Sequence, residues 1–314
     1  MQWSSSFNPP RNHYYLPETF FIKPGPSKSN LFFPFHSIEN KIDGSVLGPL
    51  GIKADDLTDA VWDYILTPEA PLPTNSVIPK RNLDLLKNEF NYFYPMDLRV
   101  SGKDLVGNHL SFCIYNHVAL FPEHHWPKAF RVNGHLLLNS EKMSKSSGNF
   151  MSLRDSINEF GADSTRFTLA TSGDYLDDAN FLNDSANSII LRLYTQFEWI
   201  RDTILGLDSL RTGPLTWNDR VFEAEMNHLN ILCKKDYEAM MYRDALRSGF
   251  FEYQTSRDWY RDMTNFPNSA SNDQPERMHR DLIVRFIESS LLMLAPICPH
   301  YSEWIWINIL KKVE

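Results

Sequence analysis

Lys142 and Lys145 stand three residues apart in "NSEKMSKSSGNF", residues 139–150, a stretch almost without apolar side chains. A lysine is a compact charge on a flexible stem, and serines with Gly148 leave the backbone room to move. Two such groups can grip a polyanion whose geometry changes, such as a triphosphate losing pyrophosphate, by electrostatics alone. A solvated basic loop has the same spacing, so the pair by itself leaves both readings open. Cys113, Cys233 and Cys298 lie far apart without any Cys-x-x-Cys pair. They are expected as buried free thiols, not as a disulfide framework or a zinc site, and no metal ligands are expected elsewhere.

Lysines on a moving loop need a frame. Ahead of them, "AFRVNGHLLLN" joins two apolar runs through Asn133-Gly134, a dipeptide that favours hairpin turns, so the loop is expected to leave the end of a strand. Behind them, Ser152 and Asp155 are spaced as a capping box and Gly161 stands where a helix would stop. From Pro49 to about Leu138, short apolar stretches alternate with helical patterns. Leu57, Val61 and Ile65 recur at i, i+4, i+8, and "MDLRVSG" predicts a strand ending at Gly102. From Asp184 onward the stripes are helical: Ile190, Leu193, Tyr194, Phe197, Ile200 and Ile204, then Phe222, Met226, Leu229 and Cys233. Further ones run through Leu246, Phe250 and Tyr253, and through Leu282, Phe286 and Ile287. They predict the core of a bundle of four or five helices, with "APICPH" breaking the last pair.

With 314 residues and 42% hydrophobic side chains, the chain can close two cores. No apolar run is long enough for a membrane span, and the first residues lack a secretory signal, so a cytoplasmic protein is expected. The formal charge of −8 is carried by residues 151–314, residues 1–150 being balanced. That argues against a general nucleic-acid coat, while the segment around the lysines is locally positive.

The string "KMSKS" matches the lysine-loop motif of class I aminoacyl-tRNA synthetases. With "YPMDLRVSGKDLVGNHL", "NGHLLLNSEKMSKSSGNF", "GADSTRFTLA", "DDANF", "ILRLY" and "LAPICPH" in order, most of the chain resembles the leucyl-tRNA synthetase family of the cytosolic eukaryotic and archaeal type. The resemblance implies ATP-dependent ligation of leucine to tRNA(Leu) through leucyl-adenylate. It implies that Lys142 and Lys145 hold the triphosphate, with Mg²⁺ sharing the charge. Gly102, Asp104, Met143, Ser144 and Ser146 would contact ATP, and His109 would lie beside the leucine pocket. Arg166, in "GADSTR", is a candidate contact to the tRNA stem. Read as residues alone, Gly102 could be a turn glycine, His109 a structural histidine and Arg166 half of an internal ion pair.

The family also uses a His-Ile-Gly-His type signature, which this sequence lacks, and an editing domain. The chain therefore reads as the second half of a Rossmann-like nucleotide-binding domain with the helices that follow it. The expected fold class is α/β followed by all-α. The expected divisions are a poorly defined segment 1–48, a partial Rossmann-like domain with the lysine loop at 49–150, a stem-contact helical segment at 151–183, and an antiparallel helix bundle of the anticodon-binding type at 184–314. A doubly wound sheet without its first strands would leave an open edge and an uncovered apolar face. Three readings follow: a ligase fragment inactive alone, a non-catalytic remnant that binds tRNA or a partner, and a different adenylate-forming enzyme. A separately encoded N-terminal half is a candidate partner of the first. In the bundle, Arg243, Arg247, Arg257 and Arg261 are the expected phosphate contacts.

Overall fold

The computed structural model describes residues 50–144, 146, 148–265 and 276–312. The segment expected at 1–48 and Lys145 lie outside the described residues. The chain divides between Asn133 and Gly134 into two units.

In the first unit, α1 (Asp59–Leu66) and α2 (Lys80–Phe93) each bury one face. Val61 and Ile65 meet Leu83, Leu86 and Phe90, with Leu57 packed against the cluster from just before α1. After α2 comes β1 (Arg99–Gly102), and a π-helical turn (Val106–Leu110) leads into α3 (Ser111–Leu120). The chain returns as β2 (Phe130–Asn133), parallel to β1 in the register Arg99↔Phe130 to Gly102↔Asn133. This is the expected α/β texture.

On α3 only Cys113 and His117 are buried, while Phe112, Tyr115, Val118 and Leu120 are exposed. His117 is fully used: Tyr94 Oη lies 3.0 Å from Nε2 and the Cys113 carbonyl 2.7 Å from Nδ1. Burial pushes the Tyr94 phenol up to about 12 and raises the Cys113 thiol.

In the second unit β3 (Leu136–Leu138) lies between β4 (Glu141–Lys142), antiparallel to it, and β5 (Ala179–Phe181), parallel to it. The expected Asn133-Gly134 hairpin does not form, because β2 and β3 belong to different sheets. Gly134 answers a different demand: a Cβ there would come within 2.1 Å of the Asp177 carbonyl oxygen. The two-residue turn falls instead at Asn139-Ser140, with φ of 51° and 69°, the positive values that a twisted hairpin needs. The crossover from β3 to β5 carries α4 (Leu153–Phe160) and α5 (Ala162–Ser172). The capping box is present: Asp155 N donates to Ser152 Oγ at 3.2 Å and Ser152 N to Asp155 Oδ2 at 3.1 Å. Gly161 ends α4 at a φ of 79°.

The bundle follows as α6 (Asn183–Leu205), α7 (Trp217–Glu238), α8 (Tyr242–Leu246), a π-helical turn (Arg247–Glu252), α9 (Tyr253–Asn265), α10 (Arg280–Leu294) and α11 (Pro299–Asn308). The stripes on α7, α8–α9 and α10 are buried as expected. On α6 the buried line is Ala186, Ile189, Leu193, Gln196 and Ile200. Ile190 and Tyr194 are exposed, because the seam turns one residue earlier to admit the polar Gln196, which accepts from Tyr301 Oη at 3.1 Å. Gly249 in the π-helical turn lets Cys233 approach, since a Cβ would meet its Sγ at 2.6 Å. All three cysteines are buried and free.

Asp219, fully buried, accepts from Tyr260, Arg211 and the Thr216 amide. Burial works to raise its carboxyl, but the three donors outweigh it and hold the group below the usual carboxylate range. Among the described residues no helix is long and apolar enough to cross a membrane.

Candidate active site

Lys142 ends β4, one strand beyond the Asn139-Ser140 turn. That turn is held from "DDANF" and the start of α6: Ser140 N donates to Asn180 Oδ1 at 2.8 Å, Asn180 Nδ2 to Ser140 Oγ at 2.9 Å, and Asn183 N to Asn139 Oδ1 at 3.1 Å. Side-chain oxygens at these places satisfy the backbone where two non-glycine residues adopt positive φ. Beyond Lys142 the chain loops out and returns. Ser144 N donates to Asn149 O at 2.9 Å, and Gly148 turns at a φ of 76°. Asn149 Nδ2 faces the carbonyls of Leu138, Glu141 and Lys142 at 3.3–3.4 Å, so one amide closes the base of the loop. Ser144 Oγ and Ser146 Oγ are 2.8 Å apart.

Met143 packs against the small core of Leu138, Phe160, Phe181 and Ala186. It is therefore an anchor between an exposed Lys142 and the loop tip. Among the described residues Lys142 forms no ion pair, and its ammonium is exposed. The result is a cation on a hairpin fixed at both ends. Asn149 was missed in the sequence; its only signal is its place after Gly148, where a chain returning to a strand needs a donor for converging carbonyls.

Gly102, Asp104 and His109 lie in the other unit, at the carboxyl end of β1 and on the turns after it. In a parallel sheet that end is where ligands bind. A Cβ on Gly102 would stand 2.7 Å from Asp104 Oδ1, so the glycine makes room for the carboxylate to fold back over the strand end. His109 lies on the π-helical turn, and such turns gather at functional sites. Its Nε2 contacts the guanidinium of Arg99, which also reaches Cys113 Sγ at 3.4 Å. A guanidinium has no acceptor, so Nε2 accepts and the ring proton is left on Nδ1. Sequence reading passed over Arg99, whose role shows only when the turn sets position 109 above position 99.

Arg166 on α5 is engaged within the unit. Its Nε donates to Ile297 O at 2.7 Å and its Nη2 to Pro296 O at 2.9 Å. Three residues earlier, Asp163 accepts from Tyr301 N at 2.6 Å and faces His300 Nδ1 at 2.9 Å. Thus "GADSTR" clasps both sides of the "APICPH" break. The arginines expected to meet phosphate in the bundle are mostly engaged too. Arg257 is buried beside Asp258, Arg247 pairs with Asp244, and Arg261 pairs with Asp258 and Asp262. Neighbouring carboxylates in sequence explain these three pairs, while for Arg243 the backbone amide donates to Asp174 Oδ2 at 2.8 Å.

Comparison with known proteins gives two consecutive family matches. Residues 85–189 match the family described as "tRNA synthetases class I (C) catalytic domain", and residues 219–313 match "Anticodon-binding domain of tRNA ligase". The putative cytoplasmic leucine–tRNA ligase of Schizosaccharomyces pombe is 49% identical over 279 residues, 89% of this chain and 24% of that protein. The cytoplasmic leucine–tRNA ligase of Pongo abelii is 49% identical over 288 residues, again 89% and 24%. The chain thus spans about a quarter of the length of these relatives.

Among solved structures, the Agrobacterium radiobacter K84 agnB2 LeuRS, in a ternary complex with tRNA and LeuAMS, superposes with a TM-score of 0.54 at 19% identity, covering 79% of this chain and 31% of that one. Methionyl-tRNA synthetase of Mycobacterium tuberculosis, bound by methionyl-adenylate, gives 0.59 at 18%, covering 72% and 46%. These likenesses are of fold, α/β followed by a helical bundle.

Proposed function

From the premise that this chain belongs to the leucine–tRNA ligase family, we propose that it serves the ATP-dependent ligation of leucine to tRNA(Leu) in the cytoplasm, through leucyl-adenylate. In this reading leucine, ATP and tRNA(Leu) are its substrates. Lys142 with Lys145 draws charge from the triphosphate as pyrophosphate departs, which lowers the barrier without covalent chemistry. Asp104, folded over Gly102, accepts from the ribose hydroxyls. His109, held by Arg99, offers its Nδ1–H beside the leucine pocket. Ser144 and Ser146 supply hydroxyls on the loop, while Met143 anchors it. Among the described residues no three carboxylates, histidines or cysteines converge on a metal position, so Mg²⁺ would enter with the nucleotide and share the phosphate charge. Arg166, committed to two carbonyls, would act on the tRNA stem only through the helix it fixes.

The observation that carries this reading is the uncompensated Lys142 on a hairpin closed by Asn149. The test is leucine-dependent exchange of pyrophosphate into ATP by the full-length enzyme. Lys145→Ala and Lys142→Ala are expected to lower turnover by at least about tenfold with a smaller change in KM for leucine, as for groups acting in the transition state. A loss of leucine affinity at unchanged turnover would make the loop a substrate clamp instead.

A second form of this reading, a half-enzyme inactive alone and completed by a separately encoded N-terminal half, is favoured by the exposed faces of α3. Coexpression with the polypeptide bearing the histidine signature is expected to restore exchange. Exchange by the present chain alone would reject the half-enzyme reading.

A further inference from the structure

Residues 177–181, "DDANF", are assigned no contact with substrate in the proposed ligation, yet they hold the lysine hairpin at three points. His135 N, ahead of β3, donates to Asp178 Oδ1 at 2.9 Å, and Asn139 N, just after it, donates to Phe181 O at 2.9 Å. The third point is the side chain of Asn180. Its Oδ1 accepts from Ser140 N and its Nδ2 donates to Ser140 Oγ, so both polar ends of one amide close on one residue of the turn. Asn180 is itself fixed by its backbone, which pairs with Leu137 in the β3–β5 ladder and whose carbonyl accepts from Ser172 Oγ of α5 at 3.0 Å.

Ser140 needs that grip. Its φ of 69° belongs to the left-handed region, where glycine is at ease and serine is not. A two-residue hairpin turn demands such values at both central positions, and the favoured second residue is glycine. With serine there, the turn depends on bonds from outside the hairpin. What the turn sets is the strand it feeds: Leu137 pairs with Asn180 on one side and with Lys142 on the other, in one row across the sheet. We propose that Asn180 is a positioning residue for the ligation, fixing where Lys142 stands through the Asn139-Ser140 turn. The inference rests on the reading of Lys142 as a group that meets the triphosphate. Stabilisation by a preset charge depends on where the charge stands when bonds break, so a relaxed turn costs turnover more than substrate affinity.

The test is leucine-dependent exchange of pyrophosphate into ATP by the full-length enzyme, with the folded fraction read by circular dichroism and Lys142→Ala run in parallel. Asn180→Ala is expected to lower turnover per folded molecule at least about fivefold, with KM for leucine within about twofold. Adding Ser140→Gly should return most of that loss, because glycine adopts the turn unaided. In the Lys142→Ala background Asn180→Ala should cost under about twofold, since the charge it places is already gone. A lowered urea midpoint with turnover per folded molecule intact, no rescue by Ser140→Gly, or full additivity with Lys142→Ala would overturn the proposal and leave the ligation reading in place. Lys142→Ala without effect would overturn both.

Discussion

The two units differ in what their helices do with apolar side chains. In residues 134–312 the cores gather Ile200, Phe222, Met226, Tyr253, Phe286 and Ile287, with Phe167, Leu246 and Leu294 nearby, and every helix of ten or more residues buries one side. Its buried Asp219 is matched by three donors. In residues 50–133 a comparable core exists only between α1 and α2. There α3 is apolar nearly all round yet mostly in water, and β1–β2 is a parallel pair of two strands. Parallel sheets are ordinarily covered on both faces, and helices apolar on every side are ordinarily interior. Among the described residues, one unit buries a face of each long helix, while the other holds the candidate residues Gly102, Asp104 and His109 beside a helix left largely exposed.

The largest test of that contrast is to separate them. Residues 134–314 expressed alone are expected to unfold cooperatively in urea, and residues 50–133 alone to show no cooperative transition and to aggregate. A cooperative transition in both would break the comparison. Next, Phe222→Ala should cost about 3–5 kcal/mol in the chemical denaturation of the longer unit, and Asp219→Ala about 3 kcal/mol, since Arg211 would lose its buried partner.

The acid limb sharpens this. Because the folded state depresses the Asp219 carboxyl, its contribution is complete above the ordinary carboxylate range and drains away as pH falls below it. The urea midpoint of the longer unit should fall on acidification, and Asp219→Asn should flatten that fall. Smaller still, Ser152→Ala removes the cap of α4 behind the lysine hairpin and should cost about 1 kcal/mol. At the bottom of the scale, Phe112→Ser and Tyr115→Ser should change stability by under about 0.5 kcal/mol while raising solubility. A loss of several kcal/mol there would mean that α3 is covered after all.

What could be read in the sequence depended on distance along the chain. The capping box at Ser152, the stop at Gly161 and the stripe from Phe222 to Cys233 use contacts within a turn or two, where side-chain spacing is the structure. Asn133-Gly134 misled because its local preference for a hairpin is overridden by the partners of the flanking strands, β1 on one side and β4 and β5 on the other. Ile190 and Tyr194 misled because a stripe one residue away fits the same period, and only partners distant in sequence, Phe167, Leu246 and Phe250 against Ile189 and Leu193 and Tyr301 on Gln196, decide which line faces inward. In the candidate site the lysine loop was legible from its string. Asn149 and Arg99 were not, since each acts through groups brought near by folding.

The clasp made by Asp163 and Arg166 bears on how the chain is made. Their acceptors and donors at Pro296, Ile297, His300 and Tyr301 are translated some 130 residues later. A ribosome therefore delivers α5 and the residues that cover Phe167, namely Ile189, Leu246 and Phe250, before the groups that engage its two charged side chains. Until the last helix emerges, the Arg166 guanidinium and the Asp163 carboxylate lack these partners, and α5 is held by its apolar side alone. Nascent chains truncated before Pro296 should then expose α5 to protease, and chains extended past Tyr301 should protect it, so that this part of the molecule matures from its far end backward.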